Sequence, residues 1–534
     1  MEPPVPPGRQ KSLDQLLEQA IAERCREEDQ VEVTYEMAGD YTDGQQQAMR
    51  LQPSEHRDGE EGNADAMGSV QTEKKVMRNT ILLSVSMIFI LSGFSTLQSL
   101  QSTLFPETGL QCLSVVYACT FSSFLYAPTL VQKLGIKSTI TSMSIADILY
   151  IVAFCFHRPY LLIASAVLLG FSSGPLIYTQ MTYLFNNVSR ISFVTHAMRD
   201  KIQQRYLKFF FVISKSNVFW SHLATAVITS AMNGELATQS DFSNSTLYDD
   251  DTKSWRTSVT CPEVSCSPRP NELDFPVLKL SETNIVPTFT LKILMYVFAC
   301  SILLAVLVIV FFVEQLDILQ QQDPLERPLI YLTLRQIRLV LVDKHIRLAL
   351  PLIIFIGIEQ AYIFGDFTKS FVSCSLGLQS VVLTMACEGA ANTLGCVGVH
   401  LFQQHIQRPL IMAGGIVCQA GLLTVLWLWT PLKDDAAVFY VIAGGWGLCH
   451  AIWETLTTTY LASTYAEDWP IPFCAYYQLQ CIGSAFVFAI SSYLCSEIKV
   501  CLLAAALALA LVPYTALEFR IHQRSRTQTN TTAL

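Results

Sequence analysis

Charge is what this sequence has little of. Only 15% of its 534 residues are Asp, Glu, Lys or Arg, against roughly 25% in a soluble domain, and the deficit places most of the chain in lipid. The formal charge of −9 says little about partners, because the excess acid lies mostly in the first 75 or so residues, and nucleic acid is not an expected ligand. Also missing are a CxxC pair, a His/Cys cluster at zinc spacing, a Walker loop and a GxGxxG turn, so no metal or nucleotide cofactor is expected. No nucleophile, base and oxyanion donor assemble into a recognisable set, which argues against an enzyme. The polar N-terminus carries no secretory signal pattern.

What is present is apolar length. Hydrophobic residues make up 51% of the chain, and twelve segments long enough to span a bilayer stand out at 79–101, 110–132, 138–156, 160–184, 207–231, 288–313, 347–367, 376–401, 410–430, 436–461, 473–495 and 500–519. Residues 1–75, rich in Glu, Gln, Asp, Gly and Pro, read as a disordered cytosolic tail with one short amphipathic piece, Leu13 to Ile21. Short loops at Lys133/Lys137, Arg190 to Lys208, Arg335 to Arg347 and Arg408, together with the flanks Lys74/Lys75/Arg78 and Arg520/Arg524/Arg526, share one side and hold most of the loop Lys and Arg. That side is cytosolic by charge bias, and both termini fall on it.

The division is then a tail over 1–75, five helices over 76–231, an extracellular loop over 232–287, a sixth helix over 288–313, a cytosolic linker over 314–346, a second six-helix bundle over 347–519 and a cytosolic tail over 520–534. The sequon at Asn244 lies in the extracellular loop and is expected to carry a glycan, whereas those at Asn187 and Asn530 face the cytosol. Cys261 and Cys266, in the same loop, are candidates for a local disulfide, and Cys374 with Cys495, near the non-cytosolic helix ends, for a second. Most other cysteines lie in apolar runs, where Cys acts as a small hydrophobe.

The chain is internally duplicated. Gly170 to Leu184 (GFSSGPLIYTQMTYL) lies over Gly447 to Leu461 (GLCHAIWETLTTTYL), so that Gly170 falls on Gly447 and Tyr183 on Tyr460, while Ile177 falls on Glu454. Two fused six-helix halves match the plan of the major facilitator superfamily. Pro128 to Lys137 (PTLVQKLGIK) resembles that superfamily's cytosolic signature at Lys133, Gly135 and Lys137, but Pro128 and Gln132 replace its Gly and Asp. The expected fold class is therefore an all-α, multi-pass membrane protein of twelve transmembrane helices in two bundles.

A closer resemblance is to the Unc-93 family, a branch of the same superfamily, and within it to the A-type members. It rests on Arg78-Asn79, LQSLQSTL at 97–104, the run from Leu134 to Ile140, GPLIYTQMTYL at 174–184, Trp220, the Cys261/Cys266 spacing, TKSFVSCSLG at 368–377 and GGWGLCHAIWET at 444–455. The resemblance implies an accessory or trafficking protein of the plasma membrane, with endosomes as the alternative site, that accompanies another membrane protein such as a potassium channel. The nematode founder is associated with two-pore-domain potassium channels. Proton-coupled transport of a small solute is the competing reading.

Residues with chemistry to offer are the ionisable groups at helix depth, Asp147, Lys215, Glu359, Asp366, Glu388, His450 and Glu454. An Asp or Lys at the centre of a helix costs about 2.5–3.5 kcal/mol on insertion scales, so each needs a partner or a wet cavity. Glu359 and Glu454 lie on helices that line the cavity in the facilitator plan, either as proton carriers or as packing groups. Asp147 and Lys215 are expected to pair with each other, and Asp366, near a membrane boundary, to be solvated. Trp427, Trp429, Trp446 and Trp453 read as interface anchors or packing groups. Finally Thr532 and Leu534, in the closing NTTAL, fit what a PDZ scaffold takes as an added strand.

Overall fold

A computed structural model describes residues 61–105, 108–156, 158–195, 199–240, 288–314, 334, 338, 342–403, 405–429, 431, 435–465 and 470–532. The chain divides into two units, Met1–Gly68 and Ser69–Leu534, and the second is the helical body. Its first half holds α1 (Glu61–Leu104) from Ser69 onward, α2 (Gly109–Ser123), α3 (Ala127–Leu134), α4 (Ile136–Ala153), α5 (Pro159–Thr195), α6 (Arg199–Ser240) and α7 (Thr288–Phe312). Its second half holds α8 (Lys344–Ala361), continued by a π-helix over Tyr362–Ser373, then α9 (Leu378–Phe402), α10 (Arg408–Leu428), α11 (Ala436–Thr464), α12 (Pro470–Ile490) and α13 (Ser496–Thr532). Asn244, Cys261, Cys266, Leu534 and the segment Leu13 to Ile21 lie outside the described residues.

Each of the twelve expected segments contains a helix, with two departures in how they run. The segment 110–132 is broken into α2 and α3, bent by 68°; Pro128 lacks an amide hydrogen and its ring crowds the carbonyl four residues back, a conflict avoided by its place in the first turn of the new helix α3. Among the described residues, ten helices are long and apolar enough to cross a membrane, eleven if that bent pair counts as one span. The remaining helix, α6, is 42 residues long, and its cations, Lys208 and Lys215 among them, dilute its hydropathy. The helical ends also overrun the expected tails: α1 begins at Glu61 and α13 runs on to Thr532. Neither overrun contains a proline to stop a helix already nucleated in the apolar segment.

The duplication is visible in how the helices meet. Gly170 brings α5 onto α2, and Gly447 brings α11 onto α9. A side chain at Gly170 would overlap the Val116 carbonyl and Cys119, and one at Gly447 would overlap the Glu388 carbonyl. Matched residues of the two copies thus allow the same close approach. One loose end is tied at Pro175: a proline there leaves the Phe171 carbonyl without its helical donor, and the Tyr126 hydroxyl donates to it at 2.5 Å. Contacts between the halves run mainly along α2 against α12 and α6 against α9, while α4, α7, α10 and α13 sit at the periphery. Their outward side chains, such as Phe311, Val417 and Leu509, are more than 70% exposed, the surface a helix turns to lipid. Trp446 and Trp453 are fully buried and so pack the second half, whereas Trp427 is half-exposed, at 52%.

Candidate functional site

A cavity of about 260 Å³ opens between the halves, walled by α1, α2, α5 and α6 on one side and by α8 with its π-helix, α9, α11 and α12 on the other. Its polar lining includes Gln98, Tyr117, Asn217 and Asn392, and its charged wall is Lys215, His450 and Glu454. His450 and Glu454 are four residues apart on α11 and therefore lie on one face. The Lys215 ammonium, from α6 in the first half, donates to Glu454 Oε1 at 2.5 Å. His450 Nδ1 lies 2.9 Å from Glu359 Oε1 on α8, and its Nε2 stands 3.4 Å from Glu454 Oε2, close enough for Coulomb attraction though not a hydrogen bond.

The result is a buried chain of charge, Lys215 to Glu454 to His450 to Glu359, that crosses between the halves once. With His450 doubly protonated the four charges cancel, and with neutral His450 one negative charge remains. Glu388, on α9 nearby, is buried with one carboxylate oxygen lacking a hydrogen-bond partner among the described residues. Glu359 is wholly buried behind His450 and does not itself line the cavity. Five of the ionisable residues singled out in the sequence, Lys215, Glu359, Glu388, His450 and Glu454, are therefore drawn together, four of them in one chain.

The expected pair of Asp147 and Lys215 does not form. Asp147 lies on peripheral α4, buried, with one carboxylate oxygen unpartnered and no ion pair among the described residues. Lys215 turns instead toward α11, because the α6 face that carries it abuts the second half. Asp366 is not solvated either. It is 3% exposed, receives the Lys499 ammonium at 2.6 Å and accepts the Ser491 hydroxyl. The end of α12 and the first turn of α13 thus close over a carboxylate that the sequence places at a membrane boundary. Cys374 and Cys495 are both disulfide-bonded.

Three further polar sites were not anticipated from the sequence. Along α1 and α6, Ser95 meets Asn217 at 2.5 Å and Ser99 meets His222 Nε2 at 2.8 Å. The ring's Nδ1 is 2.8 Å from the Val218 carbonyl, so Nδ1 carries the hydrogen and Nε2 accepts from Ser99. The polar stripe STLQSLQS of α1, Ser95 to Ser102, is the signal that announces this seam. At the end of α7, Glu314 binds Lys75 at 2.9 Å and Arg190 at 3.3 Å, with Asn79 at 3.2 Å. Burial pushes the Glu314 carboxyl up, but the Lys75 hydrogen bond and the Arg190 charge outweigh it and hold the group below its usual range. In the second half Arg408, at the start of α10, binds Glu518 of α13 at 3.1 Å and the Leu456 carbonyl at 3.1 Å.

Known proteins resemble this chain over most of its length. A family described as "Ion channel regulatory protein UNC-93" matches residues 100–514. Protein unc-93 homolog A of Bos taurus is 28% identical over 448 residues, covering 83% of this chain and 93% of that protein. The unc-93 protein of Caenorhabditis elegans, named for potassium channel regulation, is 24% identical over 462 residues, covering 84% of this chain and 61% of its own length. Among solved structures the nucleoside transporter NupG (D323A mutant) superposes with a TM-score of 0.54 at 12% identity, covering 83% of this chain and 98% of the transporter, which fixes the fold as the facilitator type expected from the repeat. With the match spanning both halves and the seam between them, the chain belongs to the UNC-93 family of ion channel regulatory proteins.

Proposed function

We propose that this chain is a non-enzymatic membrane protein that regulates or escorts a partner membrane protein, with a potassium channel as the leading partner. The family match over residues 100–514 carries the reading, and the relative named for potassium channel regulation supports the choice of partner. The site's geometry is consistent with it: the charges at the cavity are committed to each other across the halves, Lys215 to Glu454 at 2.5 Å, as in a scaffold that holds one shape. The protein works at the plasma membrane with both termini in the cytosol and the loop around Asn244 outside; endosomes are the alternative site. The test is co-expression with a two-pore-domain potassium channel, reading current and surface channel density; no change in either rejects the reading.

A second reading, proton-coupled movement of a small solute, is favoured by one observation: His450 stands between Glu359 and Glu454 beside the cavity. Saturable uptake into proteoliposomes that the Glu454→Gln form abolishes would put this reading first.

A further inference from the structure

The second half holds another cavity, of about 270 Å³, set away from the seam between α8 with its π-helix, α12 and α13. Its walls are almost wholly aliphatic, and its outer rim is lipid-facing: Phe486 is 57% exposed, Leu502 46% and Leu509 73%. Only one end is polar, where Asp366, Ser491 and Lys499 meet. That end lies at the close of α12 and the first turn of α13, a membrane boundary, and from Lys499 to Leu509 the cleft runs ten residues along α13 toward mid-membrane, about 15 Å at the helical rise. One turn below the polar end stands Tyr362, which is 2% exposed and lines the cleft. Its hydroxyl has no hydrogen-bond partner among the described residues.

We infer that this cleft binds a membrane sterol. A buried hydroxyl without a partner costs free energy that a ligand's own hydroxyl recovers. The neighbouring Asp366 and Lys499 neutralise each other and leave no net charge, which favours an uncharged headgroup over a phosphate or a carboxylate. The ligand's body must be apolar and reach from the boundary toward mid-membrane, as the walls do. Ala505 and Ala506 make one wall smooth, and a rigid fused-ring body lies on such a wall with less loss of conformational freedom than a flexible acyl chain. The site shares no lining residue with the central cavity, so it is independent of whether that cavity moves a solute.

The experiment uses the full-length protein in phosphatidylcholine vesicles with a photoreactive cholesterol analogue, mapping the label by mass spectrometry. Expected is label on α12 and α13 peptides that excess cholesterol reduces about tenfold and that cholestane, which lacks the hydroxyl, does not reduce. Ala506→Trp, which fills the cleft, lowers the label about tenfold. Tyr362→Phe, which removes one oxygen and leaves the packing, weakens cholesterol competition about fivefold, the worth of one net hydrogen bond. Label spread evenly over the lipid-facing helices, equal competition by cholestane, or equal labelling of the same peptides by a photoreactive fatty acid overturns the inference, as does unchanged label in a monodisperse Ala506→Trp protein.

Discussion

Removing the Lys215 ammonium leaves the Glu454 carboxylate facing only His450 in a site where its side chain is 4% exposed. Breaking one side of a buried pair costs about 3–5 kcal/mol, whereas removing both charges is often close to neutral. Lys215→Met is therefore expected to lower the thermal midpoint of the purified protein sharply, and Lys215→Met with Glu454→Gln to regain most of the loss. A single variant as stable as the wild type contradicts the pair. Asp147 supplies the contrast, since it makes no ion pair among the described residues. Asp147→Asn should stay within about 1 kcal/mol of the wild type, because little beyond a single hydrogen bond is at stake; a loss as large as that of Lys215→Met would reveal a partner for Asp147. The sequence identified these side chains as expensive, and it could do so because cost depends on residue type and depth alone. It could not pair them, because Lys215 and Glu454 are 239 residues apart and meet only through the way two bundles face each other.

Two elements repeat a device, and the repeat makes a matched test. Gly170 and Gly447 each admit a neighbouring helix where a β-carbon would overlap backbone, and overpacking of that kind costs about 1–3 kcal/mol. Gly170→Ala and Gly447→Ala are expected to lower the thermal midpoint by similar amounts, while Gly421→Ala, with open space around it, leaves it unchanged or slightly higher, since Ala favours helix over Gly. A second element-scale prediction concerns the C-terminal end of α7, where Glu314 meets Lys75 and Arg190. The depressed Glu314 carboxyl contributes stability that is present above its unfolded-state pKa of about 4.3 and is lost as the pH falls through the lower folded value. Thermal midpoints of wild type and Glu314→Gln should therefore differ at neutral pH and converge on acidification below about pH 4; a gap that persists there contradicts the assigned pairing with Lys75 and Arg190. The helices themselves were legible, since bilayer-length apolar runs leave few alternatives. The break at Pro128 was signalled by that proline but hidden by the apolar residues around it. The burial of Asp366 was not legible, because a residue near a helix end reads as solvated until another helix, here α13 with Lys499, is known to cover it.

On the scale of the molecule, the repeat in the sequence was enough to anticipate two fused bundles, and the facilitator architecture follows it. Which helices line the seam was legible only through that resemblance: α8 and α11 both contribute to the cavity wall, as the plan requires. The orientation in the bilayer has its own test, in which Asn244→Gln removes the glycan shift on a gel and Asn187→Gln does not; the reverse outcome inverts the topology. The central claim, that a facilitator fold locked across its halves by Lys215 and Glu454 serves to regulate a channel, is tested most directly by the current of a co-expressed two-pore-domain potassium channel, measured per surface channel. The account predicts at least a twofold change that the Lys215→Met form fails to produce at equal surface abundance, and identical currents with and without the protein at the cell surface would contradict it.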